Sequence, residues 1–175
     1  MPPFLCKHVL VNNQACMAVV YSSSLCLNIR TVGRFNAFFI FPVDFVLPQK
    51  GQSLLEAYAN WREKADNKVC CDYGLHVGVT WWSPSVKKEM EQLVSEQYGV
   101  NSFKMFMAYR DAWMLDDYDL YCAMETCTLL KALPQVHAEN GHIIARNTEK
   151  LLTAGVTGPE GHEMSRDEEV EAEAV

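Results

Sequence analysis

The sequence predicts an α/β fold with a parallel sheet, either open or closed into a barrel, and two observations carry that prediction. Short apolar runs alternate with amphipathic stretches from about residue 43 onward. Helix-start signals stand between the runs, and glycines (Gly99, Gly155) follow two of the amphipathic stretches. Strands alternating with helices at this spacing bury a parallel sheet under its crossover helices.

Taken in order, Val43-Asp-Phe-Val-Leu47 reads as the end of a strand, and Pro48-Gln-Lys-Gly51 as the turn after it. Ser53-Leu-Leu-Glu56 is a capping box, in which serine and glutamate satisfy orphan amides at a helix start. Leu54, Tyr58, Trp61 and Ala65 then mark one helical face. Residues 69–80 are rich in β-formers and predict a strand. Ser83-Pro84 opens the next helix, with proline at its tolerated first position and Val86, Met90, Leu93 and Val94 as the inward stripe. A strand around Lys104 follows, then a helix over about residues 117–131 with Leu120, Met124 and Cys127 inward. A strand ending at His137 comes next, then a helix over residues 143–154. Ser165-Arg-Asp-Glu168 is a second capping box, and residues 170–175 begin another helix. That makes about four strand–helix units, roughly half of a (β/α)8 barrel. A half barrel leaves two raw strand edges.

Composition narrows the function classes. A chain of 175 residues suits one ordinary domain. Its 49% hydrophobic content can fill a core, and its net charge of −7 disfavours nucleic acid, whose binding needs a concentrated basic face. The run over residues 35–47 is broken by Asn36, Pro42 and Asp44 and is too short to span a membrane. Residues 15–27 are interrupted by serines, so they match a secretory leader poorly. Seven cysteines, irregularly spaced and with no Cys-x-x-Cys pair, point to reduced thiols in a cytosolic setting. Residues 1–42 do not join the regular pattern. Their Phe-rich end, Ala37-Phe-Phe-Ile-Phe-Pro42, has the composition that translated pyrimidine-rich nucleic acid gives. The expected organisation is therefore a non-family segment over 1–42, a mis-spliced or mis-predicted start, and a barrel portion over 43–175.

Two residues stand out chemically. Lys104 lies within Asn101-Ser-Phe-Lys-Met-Phe-Met-Ala-Tyr109, where an isolated ammonium is costly. It must snorkel out, pair, lose its proton or be converted. His137 ends Leu133-Pro-Gln-Val-His137, so two strands each present one ligand-type side chain, as two walls of one site. In a (β/α)8 barrel functional groups project from the C-terminal ends of strands, which both residues suit. Spacing alone leaves Lys104 readable as a strand-end lysine reaching solvent and His137 as a hydrogen-bonded core histidine. His76 reads as structural, His142 and His162 as solvated, and Trp81 and Trp82 as packing residues.

These stretches carry a resemblance. Asp44-Phe-Val-Leu-Pro-Gln-Lys50, Val69-Cys-Cys-Asp-Tyr73, Val79-Thr-Trp-Trp82, Gly99-Val-Asn-Ser-Phe-Lys-Met-Phe-Met-Ala-Tyr109, Gln135-Val-His-Ala-Glu-Asn-Gly141 and Gly158-Pro-Glu-Gly-His162 occur in this order. Together with Glu169-Val-Glu-Ala-Glu-Ala174, they resemble the dihydropyrimidinase and hydantoinase family of amidohydrolases and the related collapsin response mediator proteins. The resemblance implies a partial TIM-like barrel from a cytosolic, usually tetrameric enzyme. That enzyme opens dihydropyrimidines or hydantoins to N-carbamoyl amino acids with two zinc ions. By position, Lys104 is similar to the carboxylated lysine bridging both ions, His137 to a zinc ligand, and Tyr109 to the tyrosine that hydrogen-bonds substrate. The family's His-x-His pair has no counterpart, since residues 1–42 hold only His8. A second ligand histidine and the catalytic aspartate belong to later strands, so the 175-residue chain is expected to be inactive alone. The competing expectation is a catalytically silent mediator binding tubulin and signalling partners. In such mediators the bridging lysine is replaced, and this chain keeps Lys104.

Overall fold

The computed structural model describes residues 43–175 except Asn67, Cys70 and Cys71. The expectations for residues 1–42, and for the Cys70–Cys71 pair, lie outside the described residues.

The elements follow in the order β1 (Val43–Val46), α1 (Leu54–Ala65), β2 (Gly74–Gly78), α2 (Pro84–Leu93), β3 (Ser102–Phe106), α3 (Asp117–Leu130), β4 (Leu133–His137), α4 (Gly141–Thr153), α5 (Glu160–Met164) and α6 (Glu168–Ala174). The four strands form one parallel sheet in sequential order β1-β2-β3-β4. Each strand lies beside its predecessor, with a helix between the two. This is the winding of a (β/α) barrel rather than of an open sheet whose order reverses. The fold is α/β, a partial barrel of four units.

Register decides which side chains share a face, because partners in a parallel ladder point the same way and neighbours along a strand point opposite ways. Val46, Val77 and Phe103 are in register, as are Met105 and Val136. These residues meet the helices in one core with Leu54, Ala57, Val86, Met90, Leu93, Leu120, Ala123 and Cys127. The opposite face carries Phe45 level with His76, Gly78 level with Lys104 and Gln135, and Phe106 level with His137. Where a barrel closes, this second face becomes the interior.

Local chemistry accounts for most boundaries. Ser53 caps α1 by accepting from the Glu56 amide at 3.2 Å. The carboxylate of that end, however, comes from Glu89 of α2, which accepts from Ser53 Oγ at 3.1 Å and the Leu54 amide at 2.5 Å. A neighbouring helix thus supplies the acid that the capping box assigned to Glu56, and it ties α1 to α2. Ser83 caps α2, with Pro84 at its first turn. Helix α3 ends on Lys131 in the left-handed region, φ 55°. In β4 the Leu133 amide and the His137 carbonyl bond Asn101 and Met107, which flank β3, so Pro134, one step out of phase, turns its hydrogen-less nitrogen to the open edge. Proline is tolerated there because no ladder bond is lost.

Two further expectations need correction. The strand foreseen over 69–80 is only five residues long, because β-former composition does not mark where pairing stops. The last helix is capped by Asp167, which accepts from the Val170 amide at 3.2 Å, and not by Ser165. Ser165 instead closes the short α5, donating to the His162 carbonyl at 3.0 Å. Trp81 and Trp82 pack against the core as expected, with Trp81 donating to the Gln52 carbonyl at 2.9 Å.

Candidate functional site

Lys104 occupies the middle of β3, where every residue is buried, and it is only 1% exposed. Its ammonium lies 5.4 Å from the centre of the Phe106 ring and 6.0 Å from that of Phe45. Those distances allow cation–π attraction, which offsets a small part of the cost of burial. The level carrying Lys104 holds Gly78 on one side and Gln135 on the other, so no bulky neighbour crowds the lysine stem from β2.

His137 is the last residue of β4, 5% exposed, and level with Phe106. Lys104 and His137 therefore stand on one face of adjacent strands, two residues apart along the strand direction, as two walls of one site require. The His137 Nε2 meets Glu139 Oε2 at 2.6 Å, and Arg166 Nε lies 3.8 Å from the same oxygen. The hydrogen bond with His137 is the main force holding the Glu139 carboxyl below its usual range. Partial burial opposes that shift, while His137, Arg166 and His162 add favourable charge.

Tyr109 lies three residues past the end of β3, with φ at 63°. A left-handed tyrosine costs on the order of 1–2 kcal/mol, so the surroundings must impose it. Its carbonyl accepts from the amides of Ala112, Trp113 and Met114 at 2.9, 3.0 and 3.3 Å, closing the turn that ends the strand. The Tyr109 ring centre then stands 5.2 Å from that of His137 and 5.4 Å from that of Trp113, with Phe106 beside all three. Tyr109 and His137 are thus brought together at the C-terminal ends of β3 and β4, and Lys104 lies on the same face two residues earlier along the strands.

The ends of these strands are locked to one another. Met107 donates to the His137 carbonyl and Gly141 to the Met107 carbonyl, both at 3.0 Å. A Cβ at Gly141 would fall 2.7 Å from Met114 Sδ and 3.1 Å from backbone atoms of Met107 and Ala108, so a larger residue would have to displace Met114 and crowd the crossing backbone. Asn140 caps α4 by accepting from the His142 and Ile143 amides, and its own amide group donates to Glu173 at 2.5 Å. Sequence reasoning missed Glu139, Arg166 and Trp113. Glu139 stands two residues after His137 inside a quoted motif, which was a usable signal. Arg166 had none.

A second polar cluster lies toward the other end of the same face. His76 Nδ1 bonds Ser102 Oγ, Gln135 Nε2 lies 3.4 Å from each ring nitrogen, and Phe45 stacks at 5.0 Å. His76 is a hydrogen-bonded structural histidine, as expected, and His142 and His162 are exposed.

Zinc wants about four donors. Among the described residues no three His, Cys, Asp or Glu side chains gather into a metal-capable group, and the His137 Nε2 is engaged by Glu139. The described residues do not by themselves fit a zinc ion. No helix among them is long and apolar enough to cross a membrane.

No family model matches the chain. Curated relatives do match. Dihydropyrimidinase of Rattus norvegicus is 58% identical over 132 residues, which are 75% of this chain and 25% of the relative. Dihydropyrimidinase-related protein 5 of Mus musculus is 56% identical over 132 residues, 75% of this chain and 23% of the relative. Among solved structures, the dihydropyrimidinase from Brevibacillus agri superposes with a TM-score of 0.73 at 42% identity, covering 76% of this chain and 29% of that one. The chain spans about a quarter of the length of the curated relatives it matches.

Proposed function

Because about three quarters of this chain belongs to the dihydropyrimidinase/hydantoinase family, we propose that residues 43–175 are its share of a cyclic-amide hydrolase barrel, one that opens 5,6-dihydropyrimidines to N-carbamoyl-β-amino acids. The observation that carries this reading is a lysine buried to 1% exposure on the same sheet face as His137. In that reaction the oxygen of water bonds to a ring carbonyl carbon, the adjacent C–N bond breaks, and the departing nitrogen takes up a proton.

The roles follow from what each group can do. A neutral Lys104 amine can add to carbon dioxide, forming an N–C bond and releasing one proton. The product is an N-carboxylate, which turns a buried cation into an anionic ligand. His137 supplies an imidazole nitrogen beside it. The Tyr109 hydroxyl would donate to the carbonyl oxygen as negative charge develops there. A zinc pair belongs with the complete barrel, to which this chain would bring Lys104 and His137. With two donors among the described residues instead of two full coordination spheres, the 175-residue chain alone is expected to be inactive. A cytoplasmic homotetramer goes with this reading of the complete enzyme.

A silent scaffold that binds cytoskeletal and signalling partners is the alternative, favoured by the near-equal identity to a dihydropyrimidinase-related protein. Lys104 favours the hydrolase, because a buried lysine without a use destabilises a barrel that merely binds partners. The test is ring opening of dihydrouracil by the full-length barrel that carries these residues. Ureido-acid product that disappears with Lys104→Met is expected, and product that persists in that variant overturns the reading. Turnover by the 175-residue chain itself would overturn its predicted inactivity.

A further inference from the structure

We infer that the outward face of α3 is a self-complementary surface through which two copies of this chain pair, antiparallel about a two-fold axis. Tyr118, Tyr121, Cys122, Glu125 and Leu129 fall within about 100° of one another around the helix, so they form one stripe. Its three large side chains stand far out in water, Tyr118 at 74% exposure, Tyr121 at 70% and Leu129 at 66%. The opposite side of the same helix, with Leu120, Ala123 and Cys127, already packs in the core. Helices α1 and α2 instead turn Arg62, Glu63, Lys64, Lys88 and Glu91 to solvent. A helix that is apolar on both sides calls for a second packing partner.

Charge identifies that partner as a second copy. Exposed Asp116 and Asp117 stand at the start of α3 and exposed Lys131 just past its end, with Glu125 the one charge over residues 120–130. The acidic end of one copy meets the basic end of another when the two helices run antiparallel. Asp116 caps the helix and Asp119 has Lys50 of its own chain nearby, which leaves Asp117 for this contact. In that arrangement Tyr118 lies against the partner's Leu129 and Asp117 beside the partner's Lys131, while Cys122 and Glu125 flank the axis. Both copies present the same patch, as a closed two-fold interface requires, and each helix dipole sets its positive start beside the partner's negative end. The 14 residues of α3 span about 21 Å, a small face among specific interfaces, so the pair is weak and depends on concentration. Pairing through α3 uses no residue of the sheet face that carries Lys104 and His137, so the inference does not rest on ring opening.

The experiment is sedimentation velocity of the 175-residue chain over a concentration series, which should show a shift from monomer to dimer. Tyr121→Lys changes an exposed side chain and should raise the dissociation constant about tenfold or more. Asp117→Lys and Lys131→Asp should each weaken the pair by a smaller factor, and the double reversal should regain most of what either single change loses. That rescue separates a contact between copies from a helix that is merely destabilised. Aspartate tolerates the left-handed backbone of position 131, so this variant keeps the helix end. A monomer at every concentration overturns the inference. So does a dimer that Tyr121→Lys leaves unchanged, which would form through another surface such as the open sheet edges. A double reversal no tighter than either single variant overturns it as well.

Discussion

Alternate residues of the same four strands build two faces that answer to different physics. The helix-packed face is Val46, Val77, Phe103, Met105 and Val136, apolar without exception and continuous with the inner stripes of α1, α2 and α3. The other face places His76, Ser102, Lys104, Gln135 and His137 among Phe45 and Phe106. Burial is not confined to the first face, for Phe103 and Lys104 are neighbours and both are almost fully buried. What differs is whether burial stabilises. On the first face it removes apolar area from water, and on the second it takes polar groups out of water at a cost that only hydrogen bonds or chemical conversion offset. One strand thus specifies the fold with its odd-numbered residues and holds the chemistry on its even-numbered ones.

The strongest way to break the comparison is Phe103→Ala. The removed ring sits at 0% exposure where β3 meets the helices, and truncation there should cost about 3–5 kcal/mol. Urea unfolding monitored by tryptophan fluorescence measures it as a lower midpoint at unchanged slope. A loss below about 1 kcal/mol would mean that this face is not the core.

An intermediate effect sharpens the account of the helical layer itself. Glu89 reaches from α2 to the first turn of α1, so Glu89→Ala removes acceptors from Ser53 Oγ and the Leu54 amide together. Losses of this kind run to about 1–2 kcal/mol. Glu56→Ala should cost less, because the cap contact made at Glu56 comes from its backbone amide. Equal losses would restore the local capping box.

That contrast also explains how much could be read from the chain. The alternation of strands and helices, the Ser53 cap and the Ser83-Pro84 start are local patterns, and local patterns survive folding. Glu89 lies 35 residues from the amide it caps, and no window of sequence shows that pairing. The strand over 69–80 was read too long for a related reason, since its neighbours decide where pairing ends. At the site, Lys104 and His137 were legible because a lysine in an apolar run and a histidine ending a strand are anomalies of composition. Their common face needed the register Lys104↔Gln135 and Phe106↔His137, which only the sheet supplies. Arg166 entered through a tertiary contact between the α5–α6 turn and the loop after β4.

The smallest effect on folding is expected where the chemistry is concentrated. Lys104→Met exchanges one long unbranched side chain for another of similar volume between Phe45 and Phe106, and removes a buried amine. Replacing a buried charge with an apolar group of similar shape is often neutral or stabilising, and volume-conserving exchanges cost less than about 1.5 kcal/mol. The urea midpoint of this variant should therefore stay near or above that of the parent chain, beside the large loss at Phe103, its immediate neighbour. A loss as large as that of Phe103→Ala would mean that Lys104 holds the fold together, and its burial would no longer call for a functional explanation. A stable Lys104→Met chain leaves the lysine as a residue kept for something other than folding, which is the condition the hydrolase reading requires.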